Sequence, residues 1–106
     1  AVKRILFLAP ARRELLDEVD FYNRREAGLG ARFASAVEEA ALRALAFPST
    51  GSPASKTTRR VFVKDFPFAL VYRAGEGGIV VIAVAHHARL PQYWQPRVQE
   101  TRQAHY

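Results

Sequence analysis

The sequence contains no cysteine. That excludes a disulfide scaffold, thiol catalysis and thiolate metal sites, and it fits a cytoplasmic address. It contains no run near the ~20 consecutive apolar residues that a membrane helix needs, so no membrane association is expected. The apolar stretch Ile5 to Ala9 is shorter than most secretory leader cores and reads as a strand. Histidine occurs only at His86, His87 and His105, and carboxylates are sparse in the second half. No metal site and no cofactor are therefore expected. No phosphate-cradling glycine loop is present, since Gly75-Glu76-Gly77-Gly78 reads as a hairpin turn. No serine-nucleophile motif and no internal repeat occur either.

What is present is one domain's worth of chain, 106 residues, with 49% hydrophobic and 25% charged residues. Those proportions are ordinary for a globular protein and exclude disorder and low complexity. The formal charge is +6, and it is unevenly placed. Residues 1–50 hold 8 basic and 7 acidic side chains; residues 51–106 hold 8 basic and only 3 acidic ones. The second half should therefore carry positive potential that draws in polyanions or an acidic partner. Arginine supplies 13 of the 16 basic residues, and its planar fork suits phosphate and carboxylate.

Val2–Leu8 reads as a strand. Pro10 suits the first turn of a helix. Leu15, Leu16, Val19 and Tyr22 then fall at helical spacing, with Arg12, Arg13, Glu14, Asp17 and Glu18 on a solvated face. Gly28 and Gly30 separate this helix from a second one carrying Leu29, Phe33, Val37, Ala40, Ala41 and Leu45, which ends before Pro48. So short a link predicts a helical hairpin. Residues 48–58 read as a loop. Three strand patterns follow, at Arg59–Lys64, Phe66–Arg73 and Ile79–His86. The predicted fold is α+β, β-α-α-β-β-β, with a two-helix hairpin on one face of a small, mostly antiparallel four-stranded sheet. Residues 1–94 form the domain, and 95–106 a tail that is helical after Pro96.

The last strand is apolar on both faces, with Ile79, Val81 and Ala83 on one and Val80, Ile82 and Val84 on the other. Two helices cover one face only. The second face needs another cover, either the tail or a partner chain. The densest group of reactive side chains is His86-His87-Ala88-Arg89-Leu90-Pro91-Gln92-Tyr93-Trp94, followed by Arg97. RNA cleavage without a metal needs a base, an acid and a cation for the phosphorane charge. His86 or His87, Tyr93, and Arg89 with Arg60 match those roles. The plainer reading is that His86 ends a strand, His87 sits in a turn, and Tyr93 and Trp94 pack. Arg59 and Arg60 suit a phosphate or acids on the first helix.

The order and spacing of these pieces resemble the ParE/RelE superfamily of type II toxin–antitoxin toxins. The resemblance rests on Pro10-Ala11-Arg12-Arg13-Glu14-Leu15, Phe21-Tyr22, Gly28-Leu29-Gly30-Ala31-Arg32-Phe33, Leu45-Ala46-Phe47-Pro48, Arg59-Arg60, Phe66-Pro67-Phe68-Ala69-Leu70-Val71-Tyr72, and Val84 to Trp94 with Arg97. A lysine-rich second strand, typical of the RelE-like nucleases, is lacking, and the ParE-like branch fits better. That branch implies a non-enzymatic toxin that inhibits DNA gyrase and is neutralised by a ParD-like antitoxin. The RelE-like alternative implies ribosome-dependent messenger RNA cleavage by His87, Arg89, Tyr93 and Arg60. For the ParE-like reading, the expected target-binding residues are Arg59, Arg60, Arg89, Trp94 and Arg97. The antitoxin is expected on Val80, Ile82, Val84 and Arg73.

Overall fold

A computed structural model describes residues 2–103 of the chain; the side chains of Gln92 and of residues from 100 onward, and the predicted tail residues 104–106, lie outside that description. Strand β1 (Arg4–Phe7) leads into helix α1 (Ala9–Arg25), where Pro10 occupies the first turn. Its missing N–H has no intrahelical partner to lose there. Arg24 and Arg25 lie in the last turn, where their charge opposes the helix dipole. Helix α2 (Leu29–Ala46) runs back against α1. The hairpin closes tightly because Gly30 sits where a Cβ would collide with the Val19 carbonyl and Asn23.

The sheet has five strands, not the predicted four, in the order β1-β5-β4-β3-β2. The extra one, β2 (Ser52–Pro53), lies inside the predicted loop and pairs antiparallel with the start of β3 (Arg59–Phe62). Strands β4 (Phe68–Gly75) and β5 (Gly78–His86) form the central hairpin, and β1 joins β5 in parallel. Gly78 allows that pairing: its φ is 133°, and a Cβ there would strike the Arg4 backbone.

The helix-side core is aromatic at its centre. Phe33 is fully buried, and its ring centroid lies 5.1–5.2 Å from those of Tyr22, Phe66 and Phe68. Helical spacing correctly gave Leu15, Val19 and Tyr22 as the packed stripe of α1, but Leu16 is exposed. The opposite face is covered by the tail. A 3-10 turn (Pro91–Tyr93) and helix α3 (Gln95–Gln103) bring Trp94 and Val98 onto Val71, Val80, Ile82, Ala83 and Ala85. Of the two covers expected for this face, the chain uses its own tail.

A bulge in β5 changes which side chains meet that cover. Val71 pairs with Ala83, but Tyr72 pairs with Val81, so Ile82 is inserted without a partner. One inserted residue reverses the alternation beyond it. Ile82 and Ala83 both join the tail-side cluster, and Val84 turns into the helix-side core. The simple alternation expected from the sequence put both Ala83 and Val84 on the wrong face.

Candidate functional site at the tail end of the sheet

The tail-side row of the sheet is set by register. Arg60 pairs with Val71, and Phe62 with Ala69, which in turn faces Ala85. These residues, with His87, Arg89 and the Trp94 ring, line one cleft of about 180 Å³. Three of the four residues expected to carry chemistry, Arg60, His87 and Arg89, therefore meet. Among the described residues no carboxylate lines this cleft. The Arg60 Nε atom is buried and has no hydrogen-bond partner among them. The Arg89 guanidinium sits over the Tyr93 ring, its central carbon 3.7 Å from the centroid. That stacking orients a cation on an otherwise mobile stem.

Tyr93, the fourth residue, does something different. Its hydroxyl is buried near the Glu14 carboxylate, and Arg97 flanks the ring at 5.1 Å. Burial, then the nearby Glu14 carboxylate, pushes its pKa up to about 12, against the opposing pull of Arg89 and Arg97. Such a phenol holds its proton at neutral pH and is ill-suited to act as a base. The histidines match the plainer reading. His86 packs edge-on against Phe68, and its Nδ1 accepts the Ala88 N–H at 2.9 Å. His87 sits edge-on to Phe62. Beside His86, Glu18 has its pKa raised by burial, an effect the imidazole partly offsets.

The remaining expected site residues are dispersed. Arg59 points to the helix-side face with Tyr72 and donates to the Gly51 carbonyl at 2.8 Å. Trp94 is 3% exposed, so it forms a wall of the cleft and offers no open surface for a target. Arg73 pairs with Val80, away from the cleft. Val80 and Ile82 are buried beneath the tail and Val84 beneath the helices, so none presents an open surface to an antitoxin in this conformation. Arg97 clasps Glu14 with both terminal nitrogens, at 3.0 and 3.1 Å. The clasp also closes the backbone at the bulge. Arg97 donates to the Ile82 carbonyl, and the Val84 N–H donates to Glu14, each at 3.1 Å. It thus joins α1 to α3 where β5 has outrun β1.

Glu14 is the residue the sequence reading missed, having been placed on a solvated face. Its side chain is only 19% exposed. The available signal was its position three residues after Ala11, which is fully buried, at the margin of the packed stripe. Phe62 and Leu90, 57% and 71% exposed, were also not singled out, although Phe62 lines the cleft and Leu90 adjoins it in sequence.

The model of the ParE toxin of type II toxin-antitoxin systems, parDE, matches residues 5–91. The chain belongs to the ParE toxin family. The fold agrees. A chain of the structure titled "Chromosomal ParDE TA system from P. aeruginosa" superposes with a TM-score of 0.69, covering 80% of this chain and 96% of that one, at 12% sequence identity. No curated protein matches in direct sequence comparison. The family match includes Arg60, His87 and Arg89 and ends at Pro91, so Tyr93, Trp94, Arg97 and α3 lie beyond the matched span. Among the described residues no group of histidines and carboxylates could hold a metal, and no helix is long and apolar enough to cross a membrane.

Proposed function

We propose that this ParE-family toxin acts without catalysis, by binding and inhibiting DNA gyrase, and that a ParD-like antitoxin silences it. The observation that carries this reading is the cleft in which Arg60 and Arg89 meet beside exposed Phe62, with no carboxylate among the described lining residues. Tyr93, whose pKa burial pushes up to about 12, is ill-suited to act as a base there. The His86 Nδ1 atom is engaged as acceptor of the Ala88 N–H. What remains is a cationic, partly apolar surface suited to recognition. Purified toxin should block gyrase supercoiling, and the antitoxin should restore it. Normal supercoiling at saturating toxin would reject this reading.

The nuclease alternative draws on the convergence of Arg60, His87 and Arg89, which offers cations and an imidazole at one place. It requires new message ends during expression that disappear in His87→Ala or Arg89→Ala. The antitoxin, in turn, needs acidic side chains to meet the basic half. An antitoxin that uses Val80 and Ile82 has to take the place of α3, because Trp94 and Val98 occupy that surface. Faster hydrogen exchange across residues 95–103 in the complex is the expected sign.

A further inference from the structure

On the helix side of the sheet, at the far end from the tail-side cleft, a second cleft of about 340 Å³ opens between the end of α2, the β2–β3 hairpin and β4. Buried polar bonds fix its frame. Tyr72 is 1% exposed, and its hydroxyl donates to the Pro48 carbonyl at 2.7 Å. Gly51 lies so close to that hydroxyl that a Cβ would collide with it. Thr58 is buried and shares a 2.6 Å hydrogen bond with Ser55. The charge of this cleft is one-sided. Arg59 and Lys56 line it, and among the described residues no carboxylate does. Arg59 is half-buried and makes no ion pair among those residues; its Nη1 donates to the Gly51 carbonyl at 2.8 Å. That bond orients the guanidinium, leaves it donors to spare, and leaves its charge unanswered.

We propose that this second cleft binds a small phosphate ester of nucleotide size, its phosphate held by Arg59 and Lys56 and the rest of the ligand lying against Pro48 and Pro53. Charge and donor number select the phosphate. A phosphate monoester carries about −1.5 to −2 and three acceptor oxygens, which answer two cations and the hydroxyls of Ser49 and Thr57 beside them. A carboxylate brings a single charge and leaves one cation unanswered. Size selects an ester over the free ion. The space falls within the roughly 300–1,000 Å³ of typical small-molecule sites, more than a phosphate alone fills. The flat apolar rings of Pro48 and Pro53 line it and suit a sugar or a base. The loop and Arg59 are held before the ligand arrives, which reduces the ordering cost of binding. Arg59 and Arg60 are neighbours on β3 but serve opposite faces, and the two clefts share no lining residue. The site is therefore independent of the toxin's target.

The test is a titration of the isotope-labelled full chain with adenosine 5′-monophosphate, inorganic phosphate or adenosine at constant ionic strength, reading backbone amide shifts by NMR. Saturable shifts centred on residues 49–59 are expected with the nucleotide, weaker binding with inorganic phosphate, and none with adenosine. Arg59→Gln should weaken nucleotide binding by about tenfold. Because Arg59 also holds the Gly51 carbonyl, Lys56→Gln, at an exposed position, provides a second variant that spares the fold and should weaken binding several-fold. Arg24→Gln removes one charge from an exposed pair on α1 and should leave binding unchanged. The proposal is overturned by no saturable shift, by undiminished affinity in both cleft variants, by shifts centred on His87 and Arg89, or by adenosine binding as tightly as the nucleotide. Inorganic phosphate binding as tightly as the nucleotide would overturn the ester and leave a site for the free ion.

Discussion

On one face of the sheet, helices of 17 and 18 residues bury a cluster of four aromatic rings. On the other, a 3-10 turn and a nine-residue helix bring in Trp94, Val98 and the Arg97–Glu14 ion pair, which reaches around the edge to α1. The first face is sealed by hydrophobic burial over a long, locally connected hairpin. The second is held by few contacts from the end of the chain, and such elements open first. The cationic cleft lies on the second face. The fold thus places the cationic cleft beside its least secured element and keeps its stability elsewhere.

The contrast can be broken by mutation. Phe33→Ala should cost about 3–5 kcal/mol in urea unfolding, enough to unfold much of the protein, because the emptied space lies among the rings of Tyr22, Phe66 and Phe68. Trp94→Ala removes a larger side chain but should cost only about 2 kcal/mol, with hydrogen exchange accelerating in α3 and little changed in α2. Equal losses for the two would show the faces to be equivalent. Glu14→Gln should cost roughly 1–2 kcal/mol, since it breaks the bidentate pair and weakens the acceptor for the Val84 N–H. By comparison, Arg24→Ala breaks an exposed helical pair and should shift stability by no more than about 0.5 kcal/mol.

A smaller effect depends on pH. The pKa values of Tyr22, Tyr72 and Tyr93 are all raised by burial, that of Tyr93 to about 12. In the window above the ordinary value near 10, the unfolded chain loses these protons before the folded one does. The contribution is therefore complete below pH 10 and declines as pH rises toward 12. Tyr93→Phe should lessen that decline in a urea series taken from pH 9 to 12, and absorbance at 295 nm should lose its highest-pH step.

Much of this architecture was legible in the sequence because it rests on local periodicity. The packed stripes of α1 and α2, the stop before Pro48, and the turn at Gly75–Gly78 follow from spacing and residue type. The second strand was not legible, since Ser52-Pro53 carries no strand signal and pairs only because Arg59 and Arg60 lie opposite. The bulge at Ile82 was hidden because a strand apolar on both faces gives no alternation to break. The Glu14–Arg97 pair spans 83 residues, and no local pattern reports it. Arg60, His87 and Arg89 were grouped, with His86 and Tyr93, by residue type before the family resemblance, and the register of β3 brings Arg60 to the end of β5 where the other two follow.

The central claim, toxicity by binding and not by proton transfer, is tested most directly by assaying wild type, Tyr93→Phe and His87→Ala side by side for gyrase supercoiling and for messenger RNA cleavage on ribosomes. The account predicts that all three inhibit supercoiling to a similar extent and that none cleaves message. Intact supercoiling with wild type, together with cleavage that is lost in either variant, would contradict it.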